Sequence, residues 1–191
     1  MNVYDFDGTI YDGDSSIDFY LFCIKKKPSV FFKSIINQLS GMVLYAFKQI
    51  SKERNKEKYF SFLRYINVND QLLNEFWSAR FKNIKGWYLC QKAESDVVIS
   101  ASPEFLLQPI CKRLGIALIA STIDPSTGKF NGKNCHGQEK VNRFIEAYPN
   151  KSIDEFYTDS KSDYPLASIA AKSFLVSKDT FTLIQIKDDY V

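Results

Sequence analysis

Histidine is almost missing from this chain: His136 is the only one in 191 residues. Nothing in the sequence gives it a partner, and it reads as a loop residue with an inert Cys135 beside it. Cysteine is sparse and scattered. Cys23, Cys90, Cys111 and Cys135 form no close pair, which excludes a zinc motif and a small disulfide framework. They read as reduced thiols of a cytosolic protein. Excess charge is lacking too. A formal net charge of +3, with no basic run longer than Lys25–Lys27, gives no footprint for nucleic acid. No apolar run reaches the roughly 18 residues of a membrane-spanning helix. The nearest, Ser34–Phe47, is interrupted by Asn37, Gln38 and Ser40. The chain opens directly on "NVYDFD", so no signal peptide is expected. Internal repeats and low-complexity linkers are also absent.

What remains is an ordinary globular composition, 45% apolar and 25% charged, with a high aromatic share of 15%. The length fits one domain, or a core with a modest insertion, and can bury a core without staples. "NVYDFD" reads as a short buried strand. Residues 15 to 90 then show helical periodicity. Ile35, Ile36, Leu39, Met42, Val43, Ala46, Phe47 and Ile50 fall on one face. That face is expected to pack against the next helix. After the charged "SKERNKEK", "YFSFLRYI" reads as a second helix, and "NDQLLNEFWSARF" as a third with Asn69 as N-cap.

The pattern then changes. "DVVISAS", "IALIAST", "IDEFYTD", "SFLV" and "TLIQI" have strand character. Between them, "PEFLLQPICKRL" (Pro103 in its first turn), "GQEKVNRFIEAY" and "SDYPLASIAA" read as helices, and "DPSTGKFNGK" as a hairpin or loop. Unbroken apolar strands alternating with helices predict an α/β fold with a doubly wound, mostly parallel sheet. The helical block is too long for a simple crossover. It reads as an all-helical cap over 15–89, inserted into a core of 1–14 and 90–191.

In such a sheet, ligands gather beyond the carboxyl ends of the strands. Asp5 and Asp7 end the first strand, Ser100 the second, and Asp159 a later one, with Asp163 four residues on and Lys140 opening the helix before it. Carboxylates, a hydroxyl and an ammonium are expected to converge there. Taken alone, each residue has a plainer reading: a solvated turn for the two aspartates, a strand-end hydroxyl for Ser100, a solvated helix lysine for Lys140, a helix cap for Asp163.

"DFDGT", "VVISAS", the lysine of "GQEK" and "YTDSKSD" resemble, in order, the four motifs of the haloacid dehalogenase-like phosphohydrolases. The resemblance covers roughly residues 1–14 and 90–180. The helical insertion, "SASPEF", "TGKFNG" and "CHGQEK" are similar to the phosphoserine-phosphatase-like branch, which also contains a group of phosphatidylglycerophosphate phosphatases. The resemblance implies a Mg²⁺-dependent phosphatase with Asp5 as nucleophile, forming an aspartyl-phosphate. Asp5 and Asp159 would give carboxylate oxygens to the metal and Asp7 its main-chain carbonyl. The Asp7 side chain is then the general acid, and Ser100 and Lys140 hold the phosphoryl oxygens. Asp163 would steady Lys140 or a metal-bound water.

Three departures from the family pattern stand out, the last two of which weaken phosphoserine as substrate. Thr158 stands where the fourth motif usually has glycine. "SAS" lacks the paired glycines of phosphoserine phosphatases, and no arginine in the cap is placed to hold a serine carboxylate. Asp14, like Asp12, lies between core and cap, where it reads as solvated or facing a cationic substrate group. A small phosphorylated metabolite and a lipid phosphate are the remaining substrates, with phosphoserine or phosphatidylglycerophosphate as the specific alternatives. In the lipid case the apolar face, with Lys25–Lys27 and Lys33, would make peripheral contact with a membrane. The reading from another class is a non-catalytic phosphate-binding module.

Overall fold

Six strands form one sheet: β1 (Val3–Tyr4), β2 (Val97–Pro103), β3 (Ala117–Ser121), β4 (Ile153–Thr158), β5 (Ala170–Ser177) and β6 (Thr180–Leu183). Their order in this computed structural model, which describes residues 1–185, is β3-β2-β1-β4-β5-β6. All pairings are parallel except β5 with β6. The doubly wound α/β architecture is therefore as expected. Ile186, the last residue of the expected "TLIQI" strand, and the rest of the chain lie outside the described residues.

β1 is the shortest strand and the central one. Both of its faces are buried, because successive side chains point to opposite sides. Val3, Val97 and Phe156 face α7 (Gln138–Ala147) and α8 (Tyr164–Ala167), while Tyr4, Val98 and Tyr157 face the opposite core. On that second face the rings of Tyr4 and Tyr157 stack at 4.9 Å, as do those of Tyr157 and Phe174. Each such ring contributes roughly 1.5–3 kcal/mol through burial, which is where part of the high aromatic content goes. The strand expected over Asn2–Asp7 ends early. The N–H groups of Ile10 and Tyr11 both donate to Phe6 O, at 3.0 and 2.9 Å, and wind residues 6–11 into a turn.

Between β1 and β2 lie α1 (Ser15–Lys26), α2 (Ser29–Ala46), α3 (Lys52–Tyr59), α4 (Asp70–Arg80) and α5 (Gly86–Gln91); α6 (Glu104–Leu114) joins β2 to β3. Asn69 caps α4 as expected, its Oδ1 accepting from Leu72 N at 2.9 Å. Pro103 sits at the N-cap of α6, one residue before the first turn. The charged "SKERNKEK" stretch is itself helical. Ser51 Oγ accepts from Arg54 N, and Arg54 pairs with Glu57 one turn on at 2.7 Å. "YFSFLRYI" is instead a 3₁₀ turn over Phe60–Tyr65, where four successive residues, Phe60 to Leu63, are buried, more than one α-helical face could hide. The second correction concerns α2. Its large apolar side chains face outward: Ile36 is 77% exposed and Phe47, just past its end, 73%.

Candidate active site

The register of the three central strands brings their ends level. Tyr4 pairs with both Val98 and Tyr157, so Phe6 would lie level with Ser100 and Asp159, two residues further along each neighbour. Asp5 points to the same side as Val3, towards α7. The result is one cavity of about 440 Å³ at the carboxyl ends of the strands. Asp5, Asp7, Ser100, Lys140, Asp159 and Asp163 all line it.

Lys140 organises the inner wall. It is 1% exposed, and its ammonium donates to Asp5 Oδ1 at 2.9 Å and to Asp163 Oδ2 at 2.6 Å. A cation this deep stands only when paired. Burial works against its charge, but Asp5 and Asp163 outweigh that and hold Lys140 above the ordinary lysine value. Asp163 takes a second donor, Thr158 Oγ1, at 2.9 Å, and its side chain makes no helix-capping bond. Thr158 is therefore more than a stiff replacement for glycine: it fixes the carboxylate that fixes Lys140.

Asp5 is pushed up to about 7, first by burial and then by the charge of Asp163 and Asp7, against the pull of Lys140. Asp7 rises to about 6, through burial and the charge of Asp14. Two donors restrain it, Ser15 N at 2.6 Å on Oδ1 and Ser102 Oγ on Oδ2. Ser15 opens α1, so Asp7 also sits at the positive end of that helix. Asp159 is raised by burial and by Asp163. It stands over Gly8, whose φ of +70° turns the chain after Asp7.

Ser100 Oγ accepts from Ser102 N at 3.1 Å, which leaves its own proton free to be donated into the cavity. Asp14 caps α1, accepting from Ile17 N at 3.0 Å, while its side chain also borders the cavity; Asp12 is exposed outside it. His136 does have a partner. It lies in the loop before α7, lines the cavity, and contacts Lys52 Nζ through Nε2 at 2.7 Å. Burial and Lys52 lower its pKa and favour the neutral ring. Cys135 is buried and pushed up to about 11, so its thiol stays protonated near neutral pH.

Two further residues had no sequence signal. Ser102, the last residue of "SAS", carries no mark of its own in the sequence. Lys56 lay in a helix hidden by its charge. Its ammonium reaches from α3 into the cavity and donates to Ala101 O at 3.1 Å and Asn134 Oδ1 at 3.2 Å. Burial, reinforced by Lys52, lowers its pKa to about 8.

Comparison with known proteins bears on the family and the fold. Residues 3–168 match the family model described as haloacid dehalogenase-like hydrolase. Protein CicA of Caulobacter vibrioides is 30% identical over 93 residues, which is 45% of this chain and 41% of that protein, less than half its length. Among solved structures, a protein of unknown function from Bordetella pertussis Tohama I superposes with a TM-score of 0.73 at 17% identity, over 91% of this chain and 87% of that one. A phosphoserine phosphohydrolase-like protein from Francisella tularensis gives 0.54 at 18% identity, over 91% and 86%. The motifs, the sheet and the family match over most of the chain's length agree: the chain belongs to the haloacid dehalogenase-like hydrolases.

Proposed function

We propose that this protein hydrolyses phosphate monoesters through an aspartyl-phosphate on Asp5. One observation carries the reading: Lys140 bridges Asp5 and Asp163 in the cavity that Asp7, Ser100 and Asp159 share. Residues 15–89 would act as a cap over a core formed by 1–14 and the residues from 90 onward.

The donor set suits Mg²⁺. Among the described residues no three His, Cys, Asp or Glu side chains form a ready-made metal cage. Mg²⁺ needs none, because it keeps several waters and takes one or two carboxylates. Asp5 and Asp159 would supply those, and Asp7 its main-chain carbonyl. Asp5 and Asp159 are both held above their ordinary values, a strain that a cation between them relieves. When bound, Mg²⁺ supplies the positive charge that lets an anionic nucleophile approach an anionic ester.

The remaining work falls to the chain. A carboxylate oxygen of Asp5 bonds to phosphorus as the bond to the leaving oxygen breaks. Asp7, with its pKa raised to about 6, gives that oxygen a proton. Water then attacks the same phosphorus and Asp7 takes its proton back. The phosphorus bond to Asp5 breaks, free phosphate departs and the carboxylate is restored. Lys140 has a third N–H beyond those given to Asp5 and Asp163, and with the Ser100 hydroxyl it meets the phosphoryl oxygens. Lys56 offers a second cation to an anionic substrate.

The competing reading is a module that binds phosphate without turnover. p-Nitrophenyl phosphate assays with and without Mg²⁺ separate the two. The wild type is expected to release nitrophenol only with Mg²⁺, and Asp5→Asn to release none. No release by the wild type with Mg²⁺ present would leave the binder.

A further inference from the structure

α2 is built inside out. Its inward side carries Val30 in the first turn and then only Ser34, Gln38 and Gly41, all buried. On the outward stripe, Phe32 is 72% exposed, Ile36 77%, Leu39 52%, Val43 54% and Phe47 73%. A surface helix of a globular protein normally presents the opposite. The rotation is fixed by the polar side. Tyr20 OH donates to Gln38 Oε1 at 2.8 Å, and Gln38 Nε2 donates to Tyr59 O at 3.1 Å. At Gly41, a β-carbon would stand 2.8 Å from Asn55 Oδ1 and 2.9 Å from Lys58 Cβ, so α3 approaches too closely for any larger residue. Turning α2 to hide the stripe would break both hydrogen bonds and drive bulky side chains into α3. A continuous exposed apolar stripe of this kind marks a surface that something covers.

Charge selects the occupant. From Phe19 to Lys52 the chain has no Asp or Glu but has Lys25, Lys26, Lys27, Lys33, Lys48 and Lys52. Lys26 pairs with Glu75 and Lys52 contacts His136. Among the described residues, Lys25, Lys27, Lys33 and Lys48 have no ion pair, and in sequence they bracket the stripe; Lys27 donates to Tyr65 O at 2.9 Å and Lys33 lies over the Tyr65 ring, so both keep their charge unneutralised. A second copy would set lysines against lysines. An anionic bilayer offers acyl chains to the stripe and negative headgroups to its ends. No described helix is long and apolar enough to cross a membrane, so α2 would lie in the plane of the interface.

The stripe also connects to the catalytic cleft. A side cavity of about 260 Å³ runs between α1, α2 and α3, bordered by Ile17 and Met42, which are exposed. Asp14, Lys56 and Ser102 border both this cavity and the main one. We propose that the exposed face of α2 docks on an anionic phospholipid bilayer, and that the substrate is a phosphate monoester of a membrane lipid whose apolar part enters along the side cavity. The substrate half rests on the phosphatase reading; the docking half does not.

Co-sedimentation of the full chain with vesicles tests the docking. The protein is expected to pellet with equal mixtures of phosphatidylcholine and phosphatidylglycerol, to remain in solution with phosphatidylcholine alone, and to be released by salt. The double variant Ile36→Gln/Phe47→Gln changes only exposed side chains. It should weaken the partition by about tenfold or more while hydrolysing soluble p-nitrophenyl phosphate like the wild type. A wild type that stays in the supernatant, or a double variant that pellets equally well, overturns the docking. So does a dimer in light scattering that the double variant dissolves, since the face would then belong to a second copy. For the substrate, phosphatidic acid in the mixed vesicles should be hydrolysed faster than glycerol 3-phosphate at the same concentration. Equal or slower release overturns that half. Absence of p-nitrophenyl phosphate hydrolysis would instead sink the phosphatase reading and leave the sedimentation result standing.

Discussion

Asp159 stands where Gly8 has no side chain: a β-carbon on Gly8 would lie 2.1 Å from Asp159 Oδ2. Gly8 also holds φ +70°, a region that costs an L-residue roughly 1–2 kcal/mol. The glycine of "DFDGT" therefore serves two ends. It turns the chain after Asp7, and it admits the carboxylate proposed to face the metal. Gly8→Ala should push Asp159 aside. The expected result is a fold destabilised by about 1–2 kcal/mol in denaturant titration and a much higher Mg²⁺ requirement for turnover. An unchanged Mg²⁺ titration would mean that Asp159 does not serve the metal.

Thr158 is tested by an isostere. Val keeps the volume and removes the hydroxyl that donates to Asp163 Oδ2 at 2.9 Å and accepts from Ser160 N at 3.1 Å. Leaving buried groups short of a partner costs about 1–3 kcal/mol. Thr158→Val should lower the melting temperature and slow turnover, because Asp163 then holds Lys140 less firmly. Thr158→Ser should restore both. Failure of serine to rescue would show that the methyl group, not the hydroxyl, matters here.

Lys56 gives the basic limb of the pH profile. Its pKa is lowered to about 8, chiefly by burial, so in the free enzyme its charge is complete well below that value and lost above it. If Lys56 meets the anionic substrate, kcat/KM should fall as pH rises through about 8. Lys56→Met should lower kcat/KM at pH 7 and flatten that limb. Lys56→Arg should keep activity at high pH, since a guanidinium stays charged. A wild-type profile level to pH 9 would remove Lys56 from substrate binding.

The sheet and the motif residues were legible because their signals are local. Unbroken apolar runs mark strands buried on both faces, and polar residues at their ends mark the cleft. Three features were not legible, each for its own reason. α3 is mostly charged and has no apolar period, so neither it nor Lys56 stood out; Ser51 caps it and Arg54 pairs with Glu57 along it. Periodicity found the stripe on α2 but not its direction. That is set by Gln38 and Gly41, two residues that count for little in a hydropathy pattern and much in packing. Thr158 looked like a defect in the fourth motif until its hydroxyl was seen to meet Asp163, an interaction between residues on different elements.

The two proton transfers assigned to Asp7 can be separated by choice of substrate. p-Nitrophenolate is a good leaving group and departs with little help from an acid. An alkoxide does not. The second half-reaction is the same for every substrate, because water attacks the phosphorylated Asp5 and needs a base to take its proton. Asp7→Asn keeps an acceptor oxygen for Ser15 N and places an NH₂ against Ser102 Oγ, which can accept from it, but it neither gives nor takes a proton at neutral pH. With p-nitrophenyl phosphate the variant should therefore phosphorylate Asp5 and then stall. Rapid mixing would show a burst of nitrophenol approaching one equivalent of enzyme, followed by a steady rate lower by about 10²–10⁴-fold. With an alkyl phosphate no burst should appear, because the first step already lacks its acid. Radiolabelled phosphate from p-nitrophenyl phosphate should remain on the denatured Asp7→Asn protein and be absent from the double variant Asp5→Asn/Asp7→Asn. A burst of equal size with both substrates would remove Asp7 as the acid, and no burst with either would place its contribution before the first bond breaks.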